Sequence, residues 1–277
     1  MGATGAAVNA TLTGRPRAAS LDRGGSTMSD ESTLITRHRF PVASWDADAR
    51  GRLAPSALGR YLQEAAGQNA EHLGFGFREM LRRGQAWVLS GLLVRWRTTP
   101  RFGDTVEVET WPVGAAGRRA LRDFTVRDGR GRPVADVTSA WYCLDIARRR
   151  PLPPEAWRRD DWLPDRRAVD RDPGRIDLGD GPSVAEAAVP VRWSDLDLND
   201  HLTNTRYQDL VLESFDRDWL HGRALAEIEL NFLAEGRYPD TIVCRRLATD
   251  SADTWLHQLV SGNTGREIAR ARTVWRD

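Results

Sequence analysis

The chain has 277 residues, of which 40% are hydrophobic, and this is enough for two domains of ordinary size, each with its own core. Its two cysteines, Cys143 and Cys244, exclude a disulfide framework, and no Cys/His spacing supplies four zinc ligands, so we expect no metal site. No stretch approaches the ~20 consecutive apolar residues of a membrane helix, so we expect a soluble protein without a membrane span.

The net charge is only +1, yet all 40 basic residues are arginine. Arginine pairs bidentately with phosphate and carboxylate groups. The cluster Arg148–Arg150 is therefore interpreted either as a surface for an anionic carrier or as a solvated charged face. Because 39 acidic residues offset the arginines and no recognition motif is present, we do not expect nucleic-acid binding.

In chain order, the sequence divides into four segments. Residues 1–30 are rich in small and hydroxyl side chains and lack hydrophobic periodicity. They are predicted to be a disordered extension, either a transit peptide or sequence upstream of a true start at Met28. Residues 31–147 and 189–277 are predicted to be two domains, joined at 148–188 by a linker rich in Pro, Asp and Arg.

Each predicted domain has a short strand, one amphipathic helix and then a run of strands. In the first domain, a Pro-Ser start signal and apolar residues at helical spacing predict a helix at Ala54–His72. The β-rich runs that follow predict strands at Trp87–Arg97, Thr105–Trp111, Leu121–Arg127 and Val134–Leu144. In the second domain, the same patterns predict a helix at about Asn204–Leu220 and strands at Ala224–Leu233, Thr241–Leu247, Trp255–Val260 and Ile268–Trp275.

The two predicted domains are copies of one another. Arg101–Val106 (RFGDTV) matches Arg237–Ile242 (RYPDTI), and Gly131–Trp141 parallels Gly265–Trp275 in the same order. One helix against an antiparallel sheet in each copy is an α+β unit. It resembles the hotdog architecture, so we predict a tandem (double) hotdog in which the two sheets pair.

The segment from Trp193 to Tyr207 carries the candidate chemistry. Its Asp, Asn and Thr residues precede the second helix, and helix capping accounts for much of that composition. Capping does not account for His201 beside Asp197 and Asn199. A titratable ring, a carboxylate and an amide at one helix start are able to polarise a carbonyl and hold a water molecule.

At these residues the sequence is similar to the acyl-acyl-carrier-protein (acyl-ACP) thioesterases of plant plastids and bacteria. Those proteins carry a Trp-Ser-Asp-Leu-Asp-x-Asn-x-His-x-x-Asn-x-x-Tyr signature, which residues 193–207 meet, and LESF at Leu212–Phe215 continues the match. In the first domain, WVL at Trp87–Leu89 and GDTVEVETWP at Gly103–Pro112 follow the family's pattern. The resemblance runs from about Arg37 to the C-terminus.

The resemblance implies a site of Asp197, Asn199, His201 and a glutamate after the helix, which we place at Glu235. Glu227 and Glu229 are the alternatives, and any of the three is also interpretable as a solvated strand-edge charge. Thr99 occupies the position of Glu235 in the first copy, where no His follows Asp48 either. The plant members place a Cys after the glutamate, whereas this chain has Gly236, and Cys143 and Cys244 are expected to be buried small hydrophobes.

What the resemblance implies is hydrolysis of fatty-acyl thioesters in fatty acid biosynthesis, without a cofactor, with an acyl carrier protein as partner. The N-terminal copy would bind the acyl chain and the C-terminal copy would be catalytic. Glu235 would act as general base on water or as a nucleophile, and backbone N–H groups near Thr203 and Asn204 would bind the oxyanion. The expected location is the cytoplasm of a bacterium or the plastid stroma of a plant, as a monomer or a homodimer. An acyl-CoA thioesterase, an enoyl-thioester hydratase or dehydratase of the same fold, and a non-catalytic acyl-binding protein are the alternatives.

Overall fold

The computed structural model describes residues 33–163 and 165–277, so the extension predicted at residues 1–30 lies outside the described residues. The helices are α1 (Pro55–His72), α2 (Phe77–Arg82), α3 (Arg206–Leu212) and α4 (Arg217–Gly222). The strands are β1 (Thr36–Pro41), β2 (Gln85–Trp96), β3 (Thr105–Ala116), β4 (Arg119–Asp128), β5 (Pro133–Asp145), β6 (Arg150–Pro151), β7 (Ser183–Pro190), β8 (Ala224–Phe232), β9 (Thr241–Leu247), β10 (Thr254–Ser261) and β11 (Glu267–Arg276). None of the helices in these ranges is long and apolar enough to cross a membrane.

All the strands form one antiparallel sheet in the order β1-β3-β4-β5-β2-β8-β11-β10-β9-β7, with the short β6 paired to β5. The order within the first five strands is repeated in reverse by the last five, so the two copies are related by an approximate twofold axis at the β2–β8 seam. At that seam Gly91 pairs with Asn231 and Arg95 with Glu227. The α+β tandem hotdog predicted from the sequence is confirmed.

The main helix of the first copy forms where it is predicted. Pro55 stands at the first helical turn, where its missing N–H costs nothing, and a row of apolar side chains that includes Leu58 and Leu62 is buried against the sheet. The prediction of one long helix in the second copy is wrong. Asp216 accepts a hydrogen bond from Trp219 N at 2.7 Å, so it caps a new helix, α4, and separates it from α3.

Residues 167–176 of the segment between the copies lie against the face of the sheet opposite α1, whereas Trp157 and Trp162 pack with Met80 of α2. Asp123 accepts hydrogen bonds from Arg167 Nε at 3.0 Å and from Ala168 N at 2.8 Å. Asn231 accepts from Ile176 N and donates to Gly174 O, both at 2.7 Å. Strand β7 begins at Ser183, within the stretch predicted as linker.

Candidate active site

A tight turn presents the signature residues. The Asp197 carboxylate accepts hydrogen bonds from the backbone N–H groups of Asn199 at 2.8 Å and His201 at 3.3 Å, and Asp197 N donates to His201 O at 2.8 Å. Asp200 has a φ of 61°, a left-handed conformation that Asp tolerates better than most residues. Asp197 therefore orients the other two residues through their backbone.

Glu235 lies opposite this turn. Its Oε2 is 3.2 Å from His201 Nε2 and accepts a hydrogen bond from Arg237 at 2.8 Å, while Oε1 accepts one from Arg149 at 3.4 Å. Partial burial acts to raise the pKa of Glu235. The Arg237 hydrogen bond, together with the charges of His201, Arg237 and Arg149, outweighs burial, so the pKa lies below its ordinary value. The carboxylate is thus ionised at neutral pH.

Tyr207 fixes the segment that carries Glu235. Its hydroxyl accepts a hydrogen bond from Gly236 N at 3.0 Å and donates one to Ala234 O at 3.3 Å. Burial, with the nearby negative charges, raises the pKa of Tyr207 to about 12, so the hydroxyl keeps its proton. Leu202 N donates to Gly236 O at 2.9 Å, which joins the turn directly to the same segment.

The two alternative glutamates lie elsewhere. The Glu229 side chain is almost fully buried on the face covered by the linker, where it accepts from Gly174 N at 2.9 Å and pairs with Arg171 at 2.8 Å. Glu227 pairs with Arg95, Arg171 and Arg272. The even spacing from Glu229 to Glu235 does not put them on one face, because Leu233 N and Ala234 N both donate to Ile268 O and form a bulge after β8.

The first copy keeps the backbone of this site and the counterpart of Asp197, without the Asn, His and Glu side chains. Asp48 accepts from the N–H groups of Arg50 and Arg52, both at 2.9 Å, and Gly51 has a φ of 69°, as Asp200 has 61°. Leu53 N donates to Pro100 O just as Leu202 N donates to Gly236 O. Arg52 therefore occupies the place of His201, and by the same register Thr99 occupies that of Glu235.

A cavity of about 1060 Å³ opens at the site. It is lined by Asp197, Asn199, His201 and Glu235 at one end and continues between α1, α2 and the sheet of the first copy, where apolar side chains such as Phe75, Met80 and Trp87 line it. Small-molecule pockets typically have ~300–1,000 Å³, so this one accommodates a long flexible ligand.

The corresponding space in the second copy is filled. Trp255 of β10 is the counterpart of Arg122 of β4. It pairs with Thr273 on β11, as Arg122 pairs with Ser139 on β5. The Trp255 ring packs edge-on against Phe215 and Trp219, and Trp275 packs against the same two rings. Aromatic side chains thus occupy in the second copy the position that borders the cavity in the first.

Sequence reasoning missed two residues that contact Glu235. Arg237 belongs to the repeat match with Arg101, but the repeat does not reveal its contact with the carboxylate. Arg149 is in the predicted arginine cluster, and its φ of 51° is what turns the start of the linker toward Glu235. No group of His, Cys, Asp or Glu in the described part of the chain is arranged to hold a metal ion.

Comparisons with known proteins match this chain to one family. The family model described as acyl-ACP thioesterase N-terminal domain matches residues 33–155, and the corresponding C-terminal domain matches residues 182–277. A chloroplastic dodecanoyl-ACP hydrolase of Cinnamomum camphora is 30% identical over 88% of this chain and 68% of its own. A chloroplastic acyl-ACP hydrolase of Cuphea viscosissima is 28% identical over 88% of this chain, which spans 63% of that relative's length. The solved structure of the 12:0-ACP thioesterase of Umbellularia californica has a TM-score of 0.75 and 28% identity over 88% of this chain and 97% of its own.

Proposed function

Because this chain belongs to the acyl-ACP thioesterase family, we propose that it hydrolyses the thioester of a fatty-acyl carrier protein and releases the free fatty acid. The observation that carries the proposal is the pairing of His201 with an ionised Glu235 at the open end of a long, largely apolar cavity. The acyl chain occupies the cavity of the first copy, and the second copy carries out the chemistry.

In the proposed reaction Glu235 is the general base. It takes a proton from a water molecule whose oxygen attacks the thioester carbonyl, and the tetrahedral intermediate collapses with cleavage of the C–S bond. The leaving thiolate is the conjugate base of a thiol with a pKa of about 8.5, so it needs little acid catalysis before it takes up a proton. Arg149, His201 and Arg237 surround the Glu235 carboxylate and keep it ionised, which is the form that accepts a proton from water.

Side chains of the turn bind the oxyanion in the proposed reaction. Thr203 N already donates to Asp195 O at 2.9 Å, so the prediction that Thr203 N binds the oxyanion is wrong, whereas the same prediction for Asn204 N stays a prediction. The Asn199 amide is exposed on the turn, and with the His201 ring it borders the cavity. These two groups therefore polarise the carbonyl and position the water.

The rim of the cavity suits an acidic carrier protein. Arg149, Arg237 and Arg266 all border it, and the pairing of arginine with phosphate or carboxylate groups is bidentate and strong. We expect binding of the carrier to weaken as salt is added, because surface charges are screened. The plant relatives are chloroplastic, and we place this reaction in the plastid stroma for a plant source or in the cytoplasm for a bacterial one.

Release of free thiol from acyl-ACP tests the function directly. We expect Glu235→Gln to lower kcat by a factor of about 10²–10⁴, the usual contribution of a general base. Glu229→Gln is the matched control, because it changes the same type of side chain on the opposite face and should leave turnover intact. Wild-type turnover by the Glu235 variant, or hydration of an enoyl thioester without thiol release, would overturn the proposal.

A further inference from the structure

A second, small cavity lies where α1 passes α3, behind the wall of the long cavity. Its volume is about 20 Å³, which is enough for one water-sized group. The small cavity shares lining residues with the long one, so we call it the side recess. The shared residues are Gln63, Leu89, Trp141 and Asn204.

The inner end of the side recess is polar. Gln208 and Thr205 line it, and they are only 2% and 4% exposed. Neither side chain forms a hydrogen bond with any residue that the structure describes. A buried amide or hydroxyl without a partner is unfavourable, so both groups have unused donors and acceptors for a ligand in the recess.

The neighbouring helix makes room for the Gln208 amide. A Cβ built on Gly59 of α1 would lie 2.6 Å from Gln208 Nε2 and 3.2 Å from Thr205 Cγ2, so a side chain at position 59 would displace the amide. Glycine inside a helix lowers stability, as does an unpaired buried amide. Because Leu62 and Phe124 beside it are buried and apolar, packing alone would favour leucine at position 208.

The side recess opens near the reacting end of the long cavity. Asn204, at the opening, follows His201 by three residues, and the recess also borders β2, which pairs with β8, the strand that leads to Glu235. The row of α1 residues along the long cavity begins at Gln63 and ends at Leu73, ~15 Å further along the helix axis. A group bound in the recess is therefore close to the thioester and far from the methyl end of the chain.

We propose that the side recess binds a hydroxyl group on one of the first carbons of the acyl chain and that the enzyme selects hydroxyacyl thioesters such as 3-hydroxyacyl-ACP. The inference rests on the proposed function and names the substrate class of the same site. A hydroxyl both donates and accepts hydrogen bonds, as do the Gln208 amide and the Thr205 hydroxyl. An unsubstituted chain would leave these two groups unpaired, which a site of this kind discriminates against.

The test compares kcat/KM for acyl-ACPs of one chain length that are unsubstituted, carry a hydroxyl on one of the first carbons, or carry it on the last carbon. We expect the wild type to prefer a hydroxyl near the thioester by about tenfold, the value of one buried hydrogen bond, and to show no preference for the last-carbon isomer. Gln208→Leu removes the amide at similar volume and should abolish the preference. Gln68→Leu, the same substitution on the exposed face of α1, should retain it.

The stability of the variants provides a second readout. Gln208→Leu should unfold without substrate at the same temperature as the wild type or at a higher one, because it removes an unpaired buried amide. A lower unfolding temperature would show that the amide has a structural partner and would count against the inference. Thr205→Val, which removes only a hydroxyl, should lose part of the preference.

Equal kcat/KM for every hydroxyacyl isomer and the unsubstituted chain would overturn the inference and leave the recess as a site for water only. A preference that survives in Gln208→Leu would overturn it as well. A wild type that released thiol from none of these substrates would refute the proposed function instead. The recess would then be tested by calorimetry, as the difference in affinity between 3-hydroxy and unsubstituted fatty acids on the same variants.

Discussion

The Tyr207 hydroxyl bridges the peptide on both sides of Glu235, accepting from Gly236 N at 3.0 Å and donating to Ala234 O at 3.3 Å. Tyr207→Phe would leave the buried Gly236 amide without this acceptor, at a cost of about 1–3 kcal/mol. We expect the Glu235 segment to lose its position, so that kcat falls about tenfold or more with little change in KM. Steady-state kinetics and denaturant unfolding measure the two effects.

Tyr61→Phe is a control that the duplication itself provides. Tyr61 holds the equivalent place in the first copy, where its hydroxyl donates to Asp46 at 2.8 Å and lies 3.0 Å from Pro41 O. This variant should lose a comparable amount of stability and keep its kcat. Equal losses of kcat in both variants would mean that Tyr207 acts only through overall stability.

A second prediction concerns pH. The pKa of Glu235 lies below its ordinary value of 4.5. The base therefore stays ionised to a lower pH than a free glutamate does, and catalysis should persist to that lower pH. Arg237→Gln removes the strongest interaction that lowers this pKa. We expect the pKa of Glu235 to rise and the acidic limb of the kcat/KM profile to move to higher pH.

Arg149→Gln should move the same limb in the same direction by less, because Arg149 lies 3.4 Å from the carboxylate against 2.8 Å for Arg237. Arg245→Gln breaks an exposed pair with Glu186 on the outer strands and should not move it. A limb that stays in place in the Arg237 variant would show that Glu235 is not the group that titrates in the rate.

The duplication explains how much of the fold the sequence predicts. Hydrophobic periodicity and the paired motifs survive in both copies, so the strands and α1 are found within a few residues of where the pattern puts them. The break between α3 and α4 depends on the Asp216 cap, and the covering of the sheet by the linker depends on side chains such as Asp123 and Asn231. Those contacts join residues far apart in sequence, which local patterns do not encode.

The candidate site shows the same limit. The turn from Asp197 to His201 is visible in the sequence because its members are close together. The choice among Glu227, Glu229 and Glu235 is not visible in the sequence, because it depends on the bulge where two successive amides donate to the Ile268 carbonyl. Local patterns do not predict the role of Arg149 either, since its contact with Glu235 depends on a left-handed backbone conformation at the start of the linker.

A third prediction concerns Gly236, where plant members of the family carry Cys. A Cβ built on Gly236 would lie 2.9 Å from both Cβ and Cδ2 of Leu202 and 3.3 Å from the Tyr207 hydroxyl. We expect Gly236→Cys to push Leu202 or Tyr207 away, to lower stability by about 1–3 kcal/mol and to reduce kcat. Thermal unfolding and turnover should fall together.

Gly222→Ala is the matched control, because an added Cβ there meets nothing within 4 Å. Its stability and turnover should equal those of the wild type. A further variant that combines Gly236→Cys with Leu202→Ala should recover part of the lost activity, since it removes Cδ2, one of the two Leu202 atoms that the new Cβ meets. Full activity of Gly236→Cys alone would contradict the steric account.

The last prediction concerns His257, which is fully buried in the second copy. Its Nε2 lies 3.0 Å from Thr273 Oγ1 and its Nδ1 3.4 Å from Ser214 Oγ, and burial, with the charge of Arg246, lowers its pKa to about 3. Unfolding returns the pKa to about 6.5, so between these values the unfolded chain binds more protons than the folded one. Stability is therefore complete above pH 6.5 and falls as the pH drops toward 3.

From this histidine alone the loss is at most about 1.4 kcal/mol per pH unit, or about 2 kcal/mol between pH 6.5 and pH 5. His257→Phe puts a phenylalanine at the position in β10 that Phe124 occupies in β4. This variant should flatten the plot of unfolding free energy against pH over this range, whatever its effect on absolute stability. His221→Gln, at an exposed histidine, should not. Unfolding free energies from denaturant titrations at several pH values measure the slope, and equal slopes in the wild type and His257→Phe would show that this buried ring does not govern acid stability.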